Sequence, residues 1–266
     1  MIAVLGTWWR RARLEALLAF RDRRTMTFTV ILPLVLLATL GSLIPNGTHL
    51  GPHVTFAQYM TAGMIASGLI YGGFQGLATA IPDERTNGTL KRLYGSPMPR
   101  SAYFAGKVGG IVIVYVLQLV LMLGVGVLAF HVTLPTNPGH LVAFLWLSAL
   151  ALVAFSSLGI AVSSLAKTGQ AAAALVAPAT LFLQFTSGVF FVYTTEPKWM
   201  QDFASVFPLR WLAQGMRSVF LPPAFGHREL GGSFDLPMAA LMLTIWSIIG
   251  VALCLRTFRW LPHGED

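Results

Sequence analysis

Charged residues vanish from long stretches of this chain: none lies between Arg24 and Asp83, between Lys107 and Lys167, or between Lys167 and Glu196. Apolar residues fill those stretches without alternating with polar ones, which excludes the dyad pattern of a membrane β-barrel. The runs match the roughly 20 apolar residues that a helix needs to cross a bilayer. They predict an all-α polytopic membrane protein with six spans, at 25–44, 56–81, 108–131, 141–166, 170–192 and 236–255. "IPNGTHLGPH" and "TLPTNPGH" interrupt the pattern with the Pro and Gly of connecting loops. Pro33 and Pro178 predict bends in spans one and five. Gly68, Gly72 and Gly76 recur every four residues in span two, a smooth stripe suited to close helix packing.

Three segments outside the spans carry patterns of their own. In residues 1–24, Leu5, Trp8, Trp9, Ala12 and Ala16 fall near helical spacing while Arg10, Arg11 and Arg13 crowd the other side, as in a helix lying in the membrane interface. Between spans five and six, Thr195 can cap a helix with Pro197 in its first turn. That helix has Trp199, Phe203, Val206 and Phe207 on one face. Pro208 ends it, and a second amphipathic piece comes after it with Trp211, Leu212, Met216 and Phe220. Residues 195–221 therefore read as two short external, re-entrant helices with charged backs. The third segment, 82–107, contains "PDERTNGTLKRLYGSPMPR". Pro82 is expected to end span two, with Asp83 or Thr86 capping the short helix after it. Leu90, Leu93 and Tyr94 then form a short apolar face beside Lys91 and Arg92, and Ser101 starts the helix into span three. The physics leaves two readings open: a surface for docking on another protein, or an ordinary basic loop that only sets topology.

Composition narrows the class further. Hydrophobic residues make up 55% and charged residues 11%, against roughly 25% charged in soluble domains. With both termini cytoplasmic, fourteen of the eighteen Lys and Arg fall on the inner side. The outer ones, Lys198, Arg210, Arg217 and Arg228, are balanced by Glu196, Asp202, Glu229 and Asp235. This is the positive-inside distribution, so the net charge of +8 reflects the inner leaflet, not nucleic-acid binding. The stretch "WWRRARLEALLAFRDRR" is too long and amphipathic for a signal n-region, and an uncleaved anchor is expected. The expected domain plan is an N-terminal amphipathic helix at 1–24, a six-span membrane body at 25–255 and a cytoplasmic tail at 256–266.

Absent chemistry excludes several functions. Cys254 is the only cysteine, so no internal disulfide can form. The six histidines are scattered, and no metal site or catalytic residue is expected. The expected spans carry no charge, which removes the usual machinery of ion-coupled carriers. No G-x-x-x-x-G-K-[ST] loop exists, and "FAGKVGG" at 104–110 lacks its spacing. An energy-driven process would need ATP hydrolysed on a separate chain. Without membrane charges, a cargo would meet aromatic and neutral polar groups. Tyr71, Phe74 and Gln75 of span two, with Phe182, Gln184, Phe185, Thr186 and Phe190 of span five, are the candidates for its path.

"DERTNGTLKRLYGSPMPRSAYFAGK" resembles the loop after the second span of type-two ABC transporter permeases, with its E-R-x-x-G-T-L-x-x-L core and S-P-x-x-R turn. "SGVFFVYTTEPKWMQDFASVFPLRWLAQGMRSVF" is similar to that family's second hallmark, and the daunorubicin-resistance-type drug exporters are the branch most resembled. The resemblance implies that 83–94 is a coupling helix seated on an ATPase subunit, with Glu84, Arg85, Gly88, Thr89, Leu90, Leu93 and Tyr94 as contact or shaping residues. It implies a permease dimer, homo- or heteromeric, in a bacterial plasma membrane. Two ATPase copies would carry ATP and magnesium, with no cofactor on this chain, and the cargo would be an amphipathic drug or lipid moved outward. Export of a lipid-linked polysaccharide or glycolipid, and a non-transporting sensor subunit, remain alternatives.

Overall fold

The computed structural model describes residues 2–43, 49–51, 54–96, 98–258 and 260, without the side chains of 2–5, Arg24, His49 and Arg100. Ile44, most of the 44–53 loop with His53, Pro97 of the turn after Tyr94, and Arg259 and His263 of the tail lie outside the described residues. The chain is helical almost throughout. It opens with α1 (Ile2–Arg21) and α2 (Arg23–Met26), then a π-helical turn (Thr27–Ile31) and α3 (Leu32–Leu43). A short antiparallel pair, β1 (His49–Gly51) and β2 (Val54–Thr55), leads into α4 (Phe56–Leu69), a second π-helical stretch (Ile70–Gly76) and α5 (Leu77–Thr86). Beyond these come α6 (Thr89–Tyr94), α7 (Arg100–Phe130), α8 (Pro138–Val162), α9 (Gly169–Thr186), α10 (Lys198–Ser205), α11 (Pro208–Phe220) and α12 (Leu236–Thr257).

Among the described residues, five helices are long and apolar enough to cross a membrane: Phe56–Thr86, Ser101–Phe130, Pro138–Val162, Gly169–Thr186 and Leu236–Thr257. The expected first span is a shorter apolar helix, Thr27–Leu43. Its π turn immediately precedes Pro33. The Leu32 N–H bonds Thr27 five residues back, a wider register that meets the proline ring where a regular turn would clash. Helix α4 is central, with every residue from Phe56 to Leu69 buried. Its small residues Ala57, Ala62, Gly63, Ala66 and Gly68 admit neighbours on all sides. Helix α7 instead exposes Val112, Val116 and Val120 at i, i+4 and i+8, an apolar stripe suited to lipid.

Several boundaries differ from the sequence expectation, each for a visible reason. Pro82 does not end span two; the helix continues to Thr86. A proline inside a helix removes one backbone bond, and here bonds to the turn between α8 and α9 hold the continuation. The Gly169 N–H donates to Asp83 at 2.6 Å, the Thr86 hydroxyl to the Lys167 carbonyl at 2.9 Å, and Arg85 to the Ser163 carbonyl at 3.4 Å. Asp83 and Thr86 therefore do not cap α6. Its N-cap is Gly88, in the left-handed region at φ 70°, where only glycine is unstrained. The helices of spans two and three also extend into charged sequence and bury Arg85 and Lys107.

Span five stops at Thr186, not 192. The chain turns at Gly188 (φ 68°), and Val189 presses so close to α4 that a Cβ on Gly63 would lie 2.8 Å from the Val189 carbonyl oxygen. Thr195 does not cap α10: its hydroxyl donates to the Val192 carbonyl, and Pro197 occupies the N-cap. Helix α11 is not a surface helix with a charged back. It is buried along nearly its whole length against α4, α8 and α12, its two arginines included. On α1, Ala12 and Ala16 face α7 of the same chain, while Trp9, Leu14, Leu17 and Leu18 form the exposed apolar side.

Two helices meet in close backbone contact at Gly73 and Gly159. A Cβ on Gly159 would fall 2.4 Å from the Gly73 carbonyl oxygen and 2.6 Å from that of Phe74. Gly159→Ala is therefore expected to cost about 1–3 kcal/mol through overpacking and to lower the melting temperature in detergent. Gly124→Ala, with nothing within 4 Å of the added methyl, should leave it unchanged. Equal melting temperatures for the two variants would contradict this packing.

Candidate functional site

Helix α1 reaches α7 because Gly106, Gly109 and Gly110 clear a track for it. Cβ atoms at these positions would lie 2.2 Å from Arg11, 2.6 Å from Ala12 and 2.7 Å from Glu15. The spacing i, i+3, i+4 is a helical small-residue face, a signal present in the sequence of 104–110 but obscured there by its likeness to a degraded phosphate loop. On this track a buried charge cluster forms. Lys107 donates to Glu15 at 2.7 Å and also to Glu84, while the Tyr103 hydroxyl donates to Glu84 at 2.7 Å and Arg11 pairs with Glu15. One ammonium thus holds the N-terminal helix to the end of the α4–α5 helix.

Beside this clasp, the apolar side of α6 points inward. Leu90 has no exposed surface and packs with Leu77, Ile81, Tyr103, Ile111 and Ile160, with Leu93 partly buried against the same cluster. Lys91, Arg92 and Tyr94 face outward, and the Tyr94 ring lies 6.1 Å from Trp260. Thr89 is half-buried and Arg85 buried. Of the expected coupling residues, Leu90 and Arg85 hold the segment in place, and the exposed surface is basic and aromatic.

The glycine stripe of span two serves two ends. A Cβ on Gly68 would strike Gln118, whose amide donates to the Met64 carbonyl at 3.1 Å, and one on Gly72 would lie 3.1 Å from Ile111. Both contacts are with α7. Gly76 meets only its own Tyr71 carbonyl and borders two cavities. One, of about 170 Å³, lies between α1, α7 and the helix of span two, with Glu15, Glu84 and Lys107 at its polar end. The other, of about 130 Å³, is walled by both π-helical stretches and by α9, and includes Phe28, Tyr71, Gln75 and Ala177. π turns are frequent at functional sites because they re-aim side chains.

The expected path residues divide into two groups. Tyr71 and Gln75 share the second cavity, and Gln184 approaches the Tyr71 hydroxyl from α9. Among the described residues, the fully buried Gln184 has neither amide atom in a hydrogen bond of normal geometry, and the Gln75 carbonyl likewise lacks a donor. Such groups cost about 1–3 kcal/mol each when left unsatisfied, which marks them as places where a polar ligand or water would be held. Phe74 packs on the main core instead. Phe182 and Phe185 sit on the outer side of α9, against Phe203 and against Phe190 and Phe191, and Thr186 bonds its own helix.

At the opposite end of α4 lies a second buried charge cluster. Arg217, wholly buried, donates to Glu229 (3.0 Å for Nη2) and to the Gly188 carbonyl at 3.1 Å, and its guanidinium lies 4.9 Å from the Tyr59 ring. Periodicity could not reveal this pair, because Glu229 lies in the loop beyond α11.

A family model described as ABC-2 type transporter matches residues 7–221. The chain is also 25% identical over 190 residues to a probable multidrug ABC transporter permease, YbhR, of Escherichia coli strain K12, and equally to its counterpart in strain O157:H7. The match covers 68% of this chain and 50% of each relative, so the chain spans about half the length of the relatives it matches.

Lys107→Met would leave Glu15 and Glu84 buried without their shared cation. Removing one partner of a buried ion pair costs about 3–5 kcal/mol, so a marked drop in melting temperature is expected. The triple variant Glu15→Gln/Glu84→Gln/Lys107→Met should recover most of it. A single variant as stable as the wild type would show that the clasp carries no load.

Proposed function

The chain belongs to the ABC-2 type transporter family, and from that premise we propose that it is the permease subunit of an ATP-driven exporter of amphipathic small molecules. It works as a dimer of permeases in a bacterial plasma membrane, both ends of the chain facing the cytoplasm. Two copies of a separate ABC ATPase bind the ATP and magnesium. The observation that carries this reading is the clasp at Lys107. The α6 segment offers Lys91, Arg92 and Tyr94 outward, and behind them α5 is tied to α1 through Lys107 and to the α8–α9 turn through Asp83, Arg85 and Thr86. A push on α6 is delivered to one long helix, whose π stretch walls the cavity holding Tyr71 and Gln75.

The polar lining of that cavity is neutral, and aromatic rings flank it. This suits an amphipath that brings its own hydrogen-bonding groups to Gln75 and, once the buried amide beside Tyr71 is uncovered, to Gln184. The multidrug description of the relatives agrees with such a cargo.

Copurification with an ABC ATPase encoded beside this chain, followed by ATPase assays with hydrophobic drugs and lipids, tests the proposal. Lys91→Glu/Arg92→Glu should abolish the complex while leaving the melting temperature within about 2 °C of wild type, because exposed charges contribute little to stability. Gln184→Leu should keep the complex and lower drug-stimulated turnover about tenfold, the loss of one hydrogen bond to a ligand. An unaltered complex with the double charge reversal would remove α6 as the docking surface. Leu90→Ala should instead destabilise the chain by about 2–5 kcal/mol, as truncation of a buried leucine does.

A further inference from the structure

Glu196 is the one carboxylate of the α10–α11 region that is buried without a partner among the described residues. It sits just after the turn Tyr193–Thr195 and is 8% exposed, yet neither carboxyl oxygen accepts a hydrogen bond. Its backbone is fixed: the Gln201 amide donates to the Glu196 carbonyl at 2.8 Å and to that of Tyr193 at 3.2 Å, and the Tyr193 hydroxyl donates to the Gln201 carbonyl at 2.7 Å. The side chain is therefore held in the protein by its own turn.

Two guanidiniums face it from α11, and both are committed elsewhere. Arg217 serves Glu229 and the Gly188 carbonyl. Arg210, 2% exposed, donates to Gln214, lies 4.4 Å from the Tyr193 ring and 4.2 Å from the Trp211 ring, and leaves its Nε without an acceptor. The other groups near Glu196 are Tyr59 from α4, Tyr193 from its own turn, and the Gly188 amide, which points its way without normal hydrogen-bond geometry. Glu229 lies beyond Arg217. On the exposed back of α10, Lys198 and Asp202 pair with each other at 3.0 Å. A bare carboxylate would be left here with no donor at either oxygen, an arrangement that a low-dielectric site does not sustain. A protonated carboxyl is sustained, and Arg210 then needs no counter-ion beyond its ring faces.

We propose that Glu196 is a proton-binding site that latches the α10–α11 element: protonated, it holds the packed arrangement seen here, and when its O–H bond breaks and the proton leaves to solvent, the element loosens. Burial pushes the Glu196 carboxyl up from the usual 4.5 to about 7, against the opposing pull of the Gly188 amide and of Arg217 and Arg210. The folded state thus keeps a proton that the unfolded chain gives up near pH 4.5. The stabilisation is complete below that pH and declines as pH rises towards and through about 7.

Thermal unfolding of the purified chain in detergent, between about pH 5 and about pH 8.5, tests this without any transport assay. The wild-type melting temperature should fall by several degrees across the range. Glu196→Gln, which cannot lose a proton, should remove at least half of that fall. Asp202→Asn, on the exposed back of α10, should keep the wild-type slope. A Glu196→Gln slope equal to the wild type, or a slope abolished equally by Asp202→Asn, would overturn the assignment. Should Glu196→Gln fail to fold, infrared spectra of the ¹³C-glutamate-labelled wild type decide. A protonated-carboxyl band at about pH 6 that is lost by about pH 8.5 is expected, and absence of the band at both pH values refutes it.

Discussion

A single ammonium group, that of Lys107, sits between two carboxylates from distant parts of the chain, Glu15 and Glu84. Removing one member of a buried ion pair leaves the other charge uncompensated at a high cost, so the position of each of the three depends on the other two. Helix α1 is amphipathic and has no bilayer-crossing length of apolar residues. It acquires a fixed place by lying on the Gly106–Gly110 track and closing this pair. The segment 83–94 gains a rigid root in the same contact. The parts of the chain proposed to face the cytoplasm are thereby built onto the membrane helices and not merely strung between them.

Apolar runs and turn residues made most of the fold legible. The five long helices fall where the charge-free stretches place them, and the shorter Thr27–Leu43 helix lies in the first stretch. Boundaries were less legible wherever tertiary bonds overrule a local signal. Pro82 looks like a terminator, yet bonds from the turn after α8 to residues 83–86 carry the helix beyond it. Span five is shorter than its apolar run because residues 187–192 are as apolar as a helix in lipid, while the left-handed Gly188 and the contact of Val189 with Gly63 turn them back into the protein.

The candidate site is legible in its residue types but not in its assembly. Tyr71, Gln75 and Gln184 could be named because a buried amide needs a partner, and the fold brings those three together. The two phenylalanines of α9, Phe182 and Phe185, carry no information beyond hydrophobicity, and both face outward. Leu90 and Arg85 looked like docking residues because a short loop offers no hint of an interior for them to enter. The burial and pairing of the two charge clusters is not visible in the sequence: their members are separated by up to 92 positions, and their residue types are those expected of exposed loops.

The bonds from residues 83–86 to the turn before α9 have a geometric consequence. They pin the helix of span two to α9 at one end, while the cavity containing Tyr71 and Gln75 lies farther along the same two helices. Two rods fastened at one end move as tongs do: a small rotation about the pin leaves the fastened end almost still and separates the jaws in proportion to their distance from it. For the proposed cargo, the amplitude would therefore be set by the number of helical turns between Asp83 and the cavity, a length written in the sequence.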